Sequence, residues 1–226
     1  VAAPRATPRT RRAVKPRWRD EAVAELTRRD RVMRRLVRPH PGVSLRRRSD
    51  AFTALARAIT GQQISVKAAD AIWRRFIAAA APGAASRRFP RLDPRCVAAL
   101  DAADMRSIGF SGRKAAYVLD LAEHFACGRL DPSRWKALDD EALIAALVDV
   151  RGIGRWTAEM FLMFHELRPD VYPVDDLGLR KAVAHHYGDG DMTPDEVRSL
   201  GESWRPWRSA ATWYLWRSLD PVPIEY

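Results

Sequence analysis

Cysteine is almost missing from this chain. Cys96 and Cys127 are the only two among 226 residues. Two thiols cannot build a disulfide framework, a four-cysteine zinc site or a four-cysteine iron–sulfur cluster, and a reducing compartment is the expected home. No apolar run approaches the roughly 18 residues of a membrane span, so a membrane is not an expected partner. The Arg/Pro-rich beginning lacks the apolar stretch of a secretory signal. Alternating strand patterns of useful length and internal repeats of fixed period are also lacking. What is present is a chain that is 47% apolar, enough for a real core in one or two compact domains.

The charge is unevenly placed. The net formal charge is +11. Residues 1–48 hold 16 Lys/Arg against 4 Asp/Glu, whereas residues 49–226 hold 23 against 24. The body is close to neutral and the N-terminal segment carries the excess. Residues 1–16, with Pro4, Pro8 and Pro16 among arginines and small residues, read as a disordered basic arm. Such an arm attracts a polyanion, nucleic acid above all, or serves only as a solvated tail.

The rest reads as many short helices, an all-α protein. Helical spacing of apolar residues predicts one helix over Asp20–Val37, ended by Pro39 and Pro41. Ser49 or Asp50 caps the run from Phe52 to Ile59, and Gly61-Gln62-Gln63 interrupts it. Ser65 opens the next helix, and loops follow at Pro82 and Gly83. Short helices are expected near Pro94–Leu100 and Ser111–Ala126, linked by a turn at Gly109-Phe110-Ser111-Gly112. Asp139 caps a helix, a second begins after Gly154, and others run near Asp176–Tyr187, Thr193–Gly201 and Pro206–Leu219, with Pro194 and Pro206 in first turns.

Leu147–Thr157 therefore reads as helix, Gly-x-Gly turn, helix. Gly152 and Gly154 permit positive φ and the close approach of another backbone. The N–H groups that open the second helix form an anion site suited to a phosphate oxygen. By spacing alone this is equally an ordinary αα-hairpin whose glycines only make the turn. Pro173-Val-Asp-Asp176 follows. Two adjacent acids there fit either helix capping or chemistry, and spacing does not choose between Asp175 and Asp176.

Val150-Arg-Gly-Ile-Gly-Arg-Trp-Thr-Ala158 followed by Pro173-Val-Asp-Asp176 resembles the helix-hairpin-helix/GPD DNA glycosylases. Gly61-Gln-Gln-Ile-Ser65, Gly109-Phe-Ser-Gly-Arg-Lys-Ala115 and Trp204-Arg-Pro-Trp-Arg-Ser209 resemble the 3-methyladenine DNA glycosylase II (AlkA-type) branch. The likeness covers about residues 50–219. It implies two interleaved helical subdomains within residues 17–226, flanking a DNA-binding cleft near Asp176. The β-rich N-terminal domain of some AlkA-type proteins has no counterpart in this sequence, which implies a compact form.

The resemblance further implies a monofunctional glycosylase of base excision repair. It would flip an alkylated purine from double-stranded DNA and hydrolyse the N-glycosidic bond, leaving an abasic site. It assigns Asp176 as the catalytic carboxylate, with Asp175 a neighbour that caps the next helix or tunes its partner. Trp156, Trp216 and Met160 would line the base pocket, where aromatic faces attract a cationic base. Gly152, Gly154, Arg155 and Thr157 would hold DNA, and Gln63 would fill the gap left by the flipped base. Trp156 occupies the point where bifunctional relatives carry a Schiff-base lysine. Lys114 and Lys181 lie elsewhere, so lyase chemistry is not expected. No cofactor is required. The backbone carbonyls of Val148, Val150 and Ile153 are expected to hold a structural Na⁺ or K⁺. Trp73, Trp135 and Trp213 are expected in the core, and His185 and His186 at the surface. A monomer is expected, cytoplasmic and nucleoid-associated. The competing readings are a non-enzymatic hairpin module that only binds DNA and a glycosylase/lyase for oxidised bases.

Overall fold

The computed structural model describes residues 14–43, 45–81, 83, 90–188, 190 and 192–219. Among these the chain is helical, with a single isolated antiparallel bridge between Val14 and Arg47. Of the expected arm, residues 1–13 lie outside the described residues, and Val14 exchanges backbone hydrogen bonds of 3.2 and 3.0 Å with Arg47.

The helices fall into two groups. The central group comprises α3 (Ala51–Gly61), α4 (Val66–Ala80), α5 (Pro94–Ala98), α6 (Ala102–Ile108) and α7 (Gly112–Ala126), which pack on one another. The hairpin, α8 (Asp140–Val148) and α9 (Arg155–Phe161), leans on this group where α9 meets α3. The other group joins the two ends of the described chain. In it α1 (Arg19–Arg29) and α2 (Arg31–Val37) pack with α10 (Leu177–Tyr187), α11 (Pro194–Glu202) and α12 (Arg208–Leu219). One continuous apolar core runs through both, from Leu26 and Met33 through Leu55 and Phe76 to Leu147 and Leu215.

Three sequence expectations need correction. The helix expected over Asp20–Val37 is broken at Asp30, whose extended backbone starts α2 and whose carboxylate accepts from Val32 and Met33 N–H at 2.7 and 2.9 Å. The same carboxylate accepts from the Tyr187 hydroxyl at 2.8 Å and the Trp204 indole at 2.9 Å, a tertiary demand that periodicity does not reveal. The stretch after Leu100 contains an additional helix, α6, closed by a capping box between Asp101 and Asp104. Pro206 does not open α12. A tight turn, with Trp207 N–H on the Trp204 carbonyl at 2.7 Å, delays the helix to Arg208.

The Trp204–Ser209 segment serves as scaffold. Trp204 is 1% exposed. Arg208 pairs with Asp170 at 2.8 Å, and Ser209 takes the Val171 N–H at 2.9 Å while donating to the Arg168 carbonyl at 2.6 Å. These bonds fix residues 168–172, the stretch that leads into Pro173 and the two acids. Trp135 is buried, and Trp73 and Trp213 pack partly buried against the core.

Candidate active site

Asp176 is the N-cap of α10, and its Oδ1 accepts the Leu179 N–H at 2.7 Å. Capping is what aspartate does well at such a position, but here it is only part of the arrangement. The Trp156 indole N–H, from the first turn of α9, donates to Oδ2 at 2.9 Å. The Trp216 indole N–H, from α12, donates to Oδ1 at 2.8 Å. Three elements thus aim N–H groups at one carboxylate, and the Trp156 bond ties the hairpin to the second helical group. Asp176 is half-buried, while Asp175 is exposed and makes neither indole contact. The adjacent acids, equivalent by spacing, thus differ in geometry: Asp176 receives both indole N–H groups and Asp175 receives neither.

The indoles are walls as well as donors. Trp156 is 43% exposed, unusual for so large an apolar side chain. Trp216 is half-buried and lies parallel to Phe164, with ring centroids 6.1 Å apart. Met160 follows Trp156 by one turn on α9 and is buried, yet stands apart from the main core cluster. Gly178 leaves little space beside the carboxylate. A Cβ there would sit 3.1 Å from Asp176 Oδ1 and 3.4 Å from the Trp216 ring.

The two hairpin glycines differ. Gly152 has φ +84°, and a Cβ on it would lie 2.1 Å from Tyr117 Cδ2, so both backbone and packing require glycine. Gly154 has φ −88° and does not use the positive φ open to glycine, and a Cβ there would meet nothing within 4 Å. It is the N-cap of α9, and no side chain caps that end. The N–H groups of Arg155, Trp156 and Thr157 open the helix beside an open surface. The Arg155 side chain is committed elsewhere, to Glu141 at 2.8 and 2.5 Å and to Glu159 at 3.0 Å. Val148 ends α8, so its carbonyl lies where the helical ladder runs out. The Val150 carbonyl accepts from Ile153 N–H at 3.1 Å within the turn, leaving its second lone pair. Carbonyl oxygens of this kind suit a hard monovalent cation, and among the described residues no group of three or more His, Cys, Asp or Glu is placed for a metal ion.

Gln63 is exposed, with φ +54°, in the short link between α3 and α4. Next to it Ile64 is 37% and Val66 77% exposed, and Leu177, just after Asp176, is 68% exposed. The sequence reading did not single out these exposed apolar side chains beside Gln63 and Asp176, because exposure is decided by the fold. Lys114 is turned inward and donates to the Thr60 carbonyl at 2.9 Å, while Lys181 is exposed. Glu159 was also missed. Burial pushes its carboxyl up to about 7, against the pull of Arg155 and with Asp175 repelling its charge.

With this geometry in hand, the relatives are informative. The family described as HhH-GPD superfamily base excision DNA repair protein matches residues 56–206. The chain belongs to this superfamily. Within it the chain falls in the DNA-3-methyladenine glycosylase branch. It is 37% identical to DNA-3-methyladenine glycosylase 1 of Schizosaccharomyces pombe over 174 residues, 76% of this chain and 73% of that protein. It is 32% identical to Bacillus subtilis YfjP, named for the same activity, over 183 residues, 80% of this chain and 63% of that protein. A solved structure of the S. pombe enzyme Mag1 with abasic DNA superposes with a TM-score of 0.71 at 33% identity, covering 88% of this chain and 96% of that one. The chain thus spans 63% and 73% of the length of these two curated relatives. The hairpin, the Asp176 cap and Trp156 on the first turn of α9 all lie within the matched residues. Among the described residues no helix is long and apolar enough to cross a membrane.

Proposed function

We propose that this protein is a monofunctional DNA glycosylase that removes alkylated purines from double-stranded DNA. The observation that carries the reading is the Asp176 carboxylate, held by the Leu179 N–H and by the indoles of Trp156 and Trp216. A module that only bound DNA would have no use for an oriented carboxylate between two tryptophans. The S. pombe relative bound to abasic DNA supports the same direction.

The chemistry follows from charge. Breaking an N-glycosidic bond places positive charge on the sugar. A fixed carboxylate stabilises that charge without reorganising, and it orients the incoming water or takes its proton. The bond between C1′ and the base nitrogen breaks, its electron pair leaves with the base, and water adds at C1′. Alkylation at purine N3 or N7 makes the base cationic, so it leaves readily and is attracted to the faces of Trp156 and Trp216. An indole cannot form a Schiff base, so the product is an intact strand with an abasic site. The hairpin positions a phosphate at the N–H groups opening α9, with Gly154 leaving room. Gln63 enters the gap in the duplex. A monovalent cation at the hairpin would be held by the carbonyls of Val148, Val150 and Ile153 and would supply positive charge for backbone binding, with no part in bond cleavage. The protein acts as a monomer and without a required cofactor, in the compartment that holds the DNA.

Incubation with methylated duplex DNA tests this reading. Free methylated base should appear, strand breaks should follow only after alkali, and borohydride should trap no covalent adduct. Binding without base release would favour the DNA-binding module instead, and a trapped adduct would overturn the monofunctional mechanism.

A further inference from the structure

The residue proposed to enter the duplex stands on a loop that has almost no structure of its own. Gln63 is a non-glycine residue at φ +54°, a conformation that costs about 1 kcal/mol or more for a side chain with a Cβ. It is exposed and lies between the end of α3 and Ser65, which caps α4. Such a residue would sample other conformations unless its neighbours were fixed.

They are fixed, to the hairpin and to α7. The Gln62 side-chain amide crosses to the hairpin and donates to the Gly152 carbonyl at 3.0 Å. Behind it, Lys114 Nζ donates to the Thr60 carbonyl at 2.9 Å, satisfying a group that the end of α3 leaves open. Lys114 lies on α7. Three residues further along the same face, the Tyr117 ring lies directly beneath Gly152. One more turn along, Asp120 accepts the Arg151 backbone N–H at 2.9 Å and pairs with the Arg151 side chain at 3.1 Å. His124 continues the row, with Nε2 3.2 Å from Asp149 Oδ2. One face of α7 therefore holds the end of α3 through Lys114 and the hairpin turn through Tyr117, Asp120 and His124, and Gln62 closes the triangle between loop and turn.

We infer that Gln62 is a positioning residue, which with the α7 row of Lys114 and Tyr117 locks the Gln63 wedge to the phosphate-holding hairpin as one rigid unit. The inference rests on the reading of Gln63 as the wedge. Its consequence is that gripping the backbone and filling the duplex gap occur in a single docking geometry. The Gln62 side chain bonds the hairpin rather than Asp176 or the two indoles, and it acts through its neighbour.

A double-mutant cycle in the full chain tests this, reading single-turnover base release from methylated duplex DNA, affinity for undamaged duplex and Tm. Gln62→Met keeps the side-chain length and removes the donor. It should slow release about fivefold, the effect of one hydrogen bond, with affinity for undamaged duplex and Tm nearly unchanged. In a Gln63→Ala background the same substitution should have no further effect, because the wedge it positions is gone. Equal slowing in both backgrounds would overturn the inference, since Gln62 would then act by another route. Slowing by Gln63→Ala with none by Gln62→Met would overturn it while leaving the wedge intact. Unchanged release in Gln63→Ala alone would remove the wedge reading itself, and the inference with it.

Discussion

Replacing Asp176 by Asn separates two jobs that one carboxylate performs. As N-cap of α10 it accepts the Leu179 N–H, and Asn caps as well as Asp does. As an acceptor for both indoles it has no replacement. Whichever way the Asn amide is turned, its NH₂ faces one indole N–H, at the sites now spanned by 2.9 Å to Trp156 and 2.8 Å to Trp216. With the NH₂ toward Trp156, which is 43% exposed, water re-satisfies the stranded donor, so the stability cost should be about 1 kcal/mol. Asp176→Ala loses the cap as well, a further cost of about 1 kcal/mol. Catalysis should behave differently. Losing the charge that faces a developing cation should slow base release by roughly 10²–10³-fold in both variants, about 2.7–4 kcal/mol of transition-state stabilisation. Stability by thermal or urea denaturation should therefore rank wild type, Asn, Ala, while single-turnover release should drop to a similar low level in both variants. Undiminished release by Asp176→Asn would refute the catalytic assignment. Release that simply tracked the three stabilities would show Asp176 to be a cap and no more.

Three other outcomes follow from the geometry. Gly152→Ala forces a Cβ to within 2.1 Å of the Tyr117 ring at φ +84° and should cost about 2–4 kcal/mol in denaturation, whereas Gly154→Ala, with open space and φ −88°, should leave stability unchanged and weaken duplex binding in an anisotropy titration; unchanged binding would count against the phosphate site. Glu159, whose carboxyl is pushed up to about 7 from 4.5 by burial, binds its proton more tightly folded than unfolded, so the stability this gives is complete below about pH 4.5 and is lost as pH rises through about 7; Glu159→Gln should gain on wild type across that window, and parallel stability curves would contradict the buried-acid reading. Deleting residues 1–13, which hold four arginines, should lower DNA affinity and flatten its salt dependence by up to about 0.9 per lost phosphate contact without reordering the released bases, and an unaltered slope would mean the arm does not meet DNA.

Much of the site was legible in the sequence because it depends on local chemistry. A Gly-x-Gly turn between apolar runs announces a hairpin, and an acid before an apolar helix announces a cap. Other features were not legible because distant segments decide them. Nothing near Asp30 in sequence tells that Tyr187 and Trp204 need its carboxylate, so the first helix looked continuous. Arg155 looked free for a phosphate until the fold brought Glu141 beside it. Glu159 carries no mark of burial in the sequence, yet α9 turns it inward.

The sequence by itself determined the helical class, the neutral body with its basic N-terminal segment, the hairpin and the Asp175–Asp176 pair, since periodicity, charge and turn chemistry act over a few residues. Only the tertiary structure set the two acids apart. Asp175 and Asp176 are equivalent in composition and spacing, but capping α10 turns the second toward indoles 20 residues before it and 40 residues after it. The same is true of Gln62 and Gln63, one bound to the hairpin and the other exposed. Contacts between segments far apart in the chain make neighbouring residues physically different.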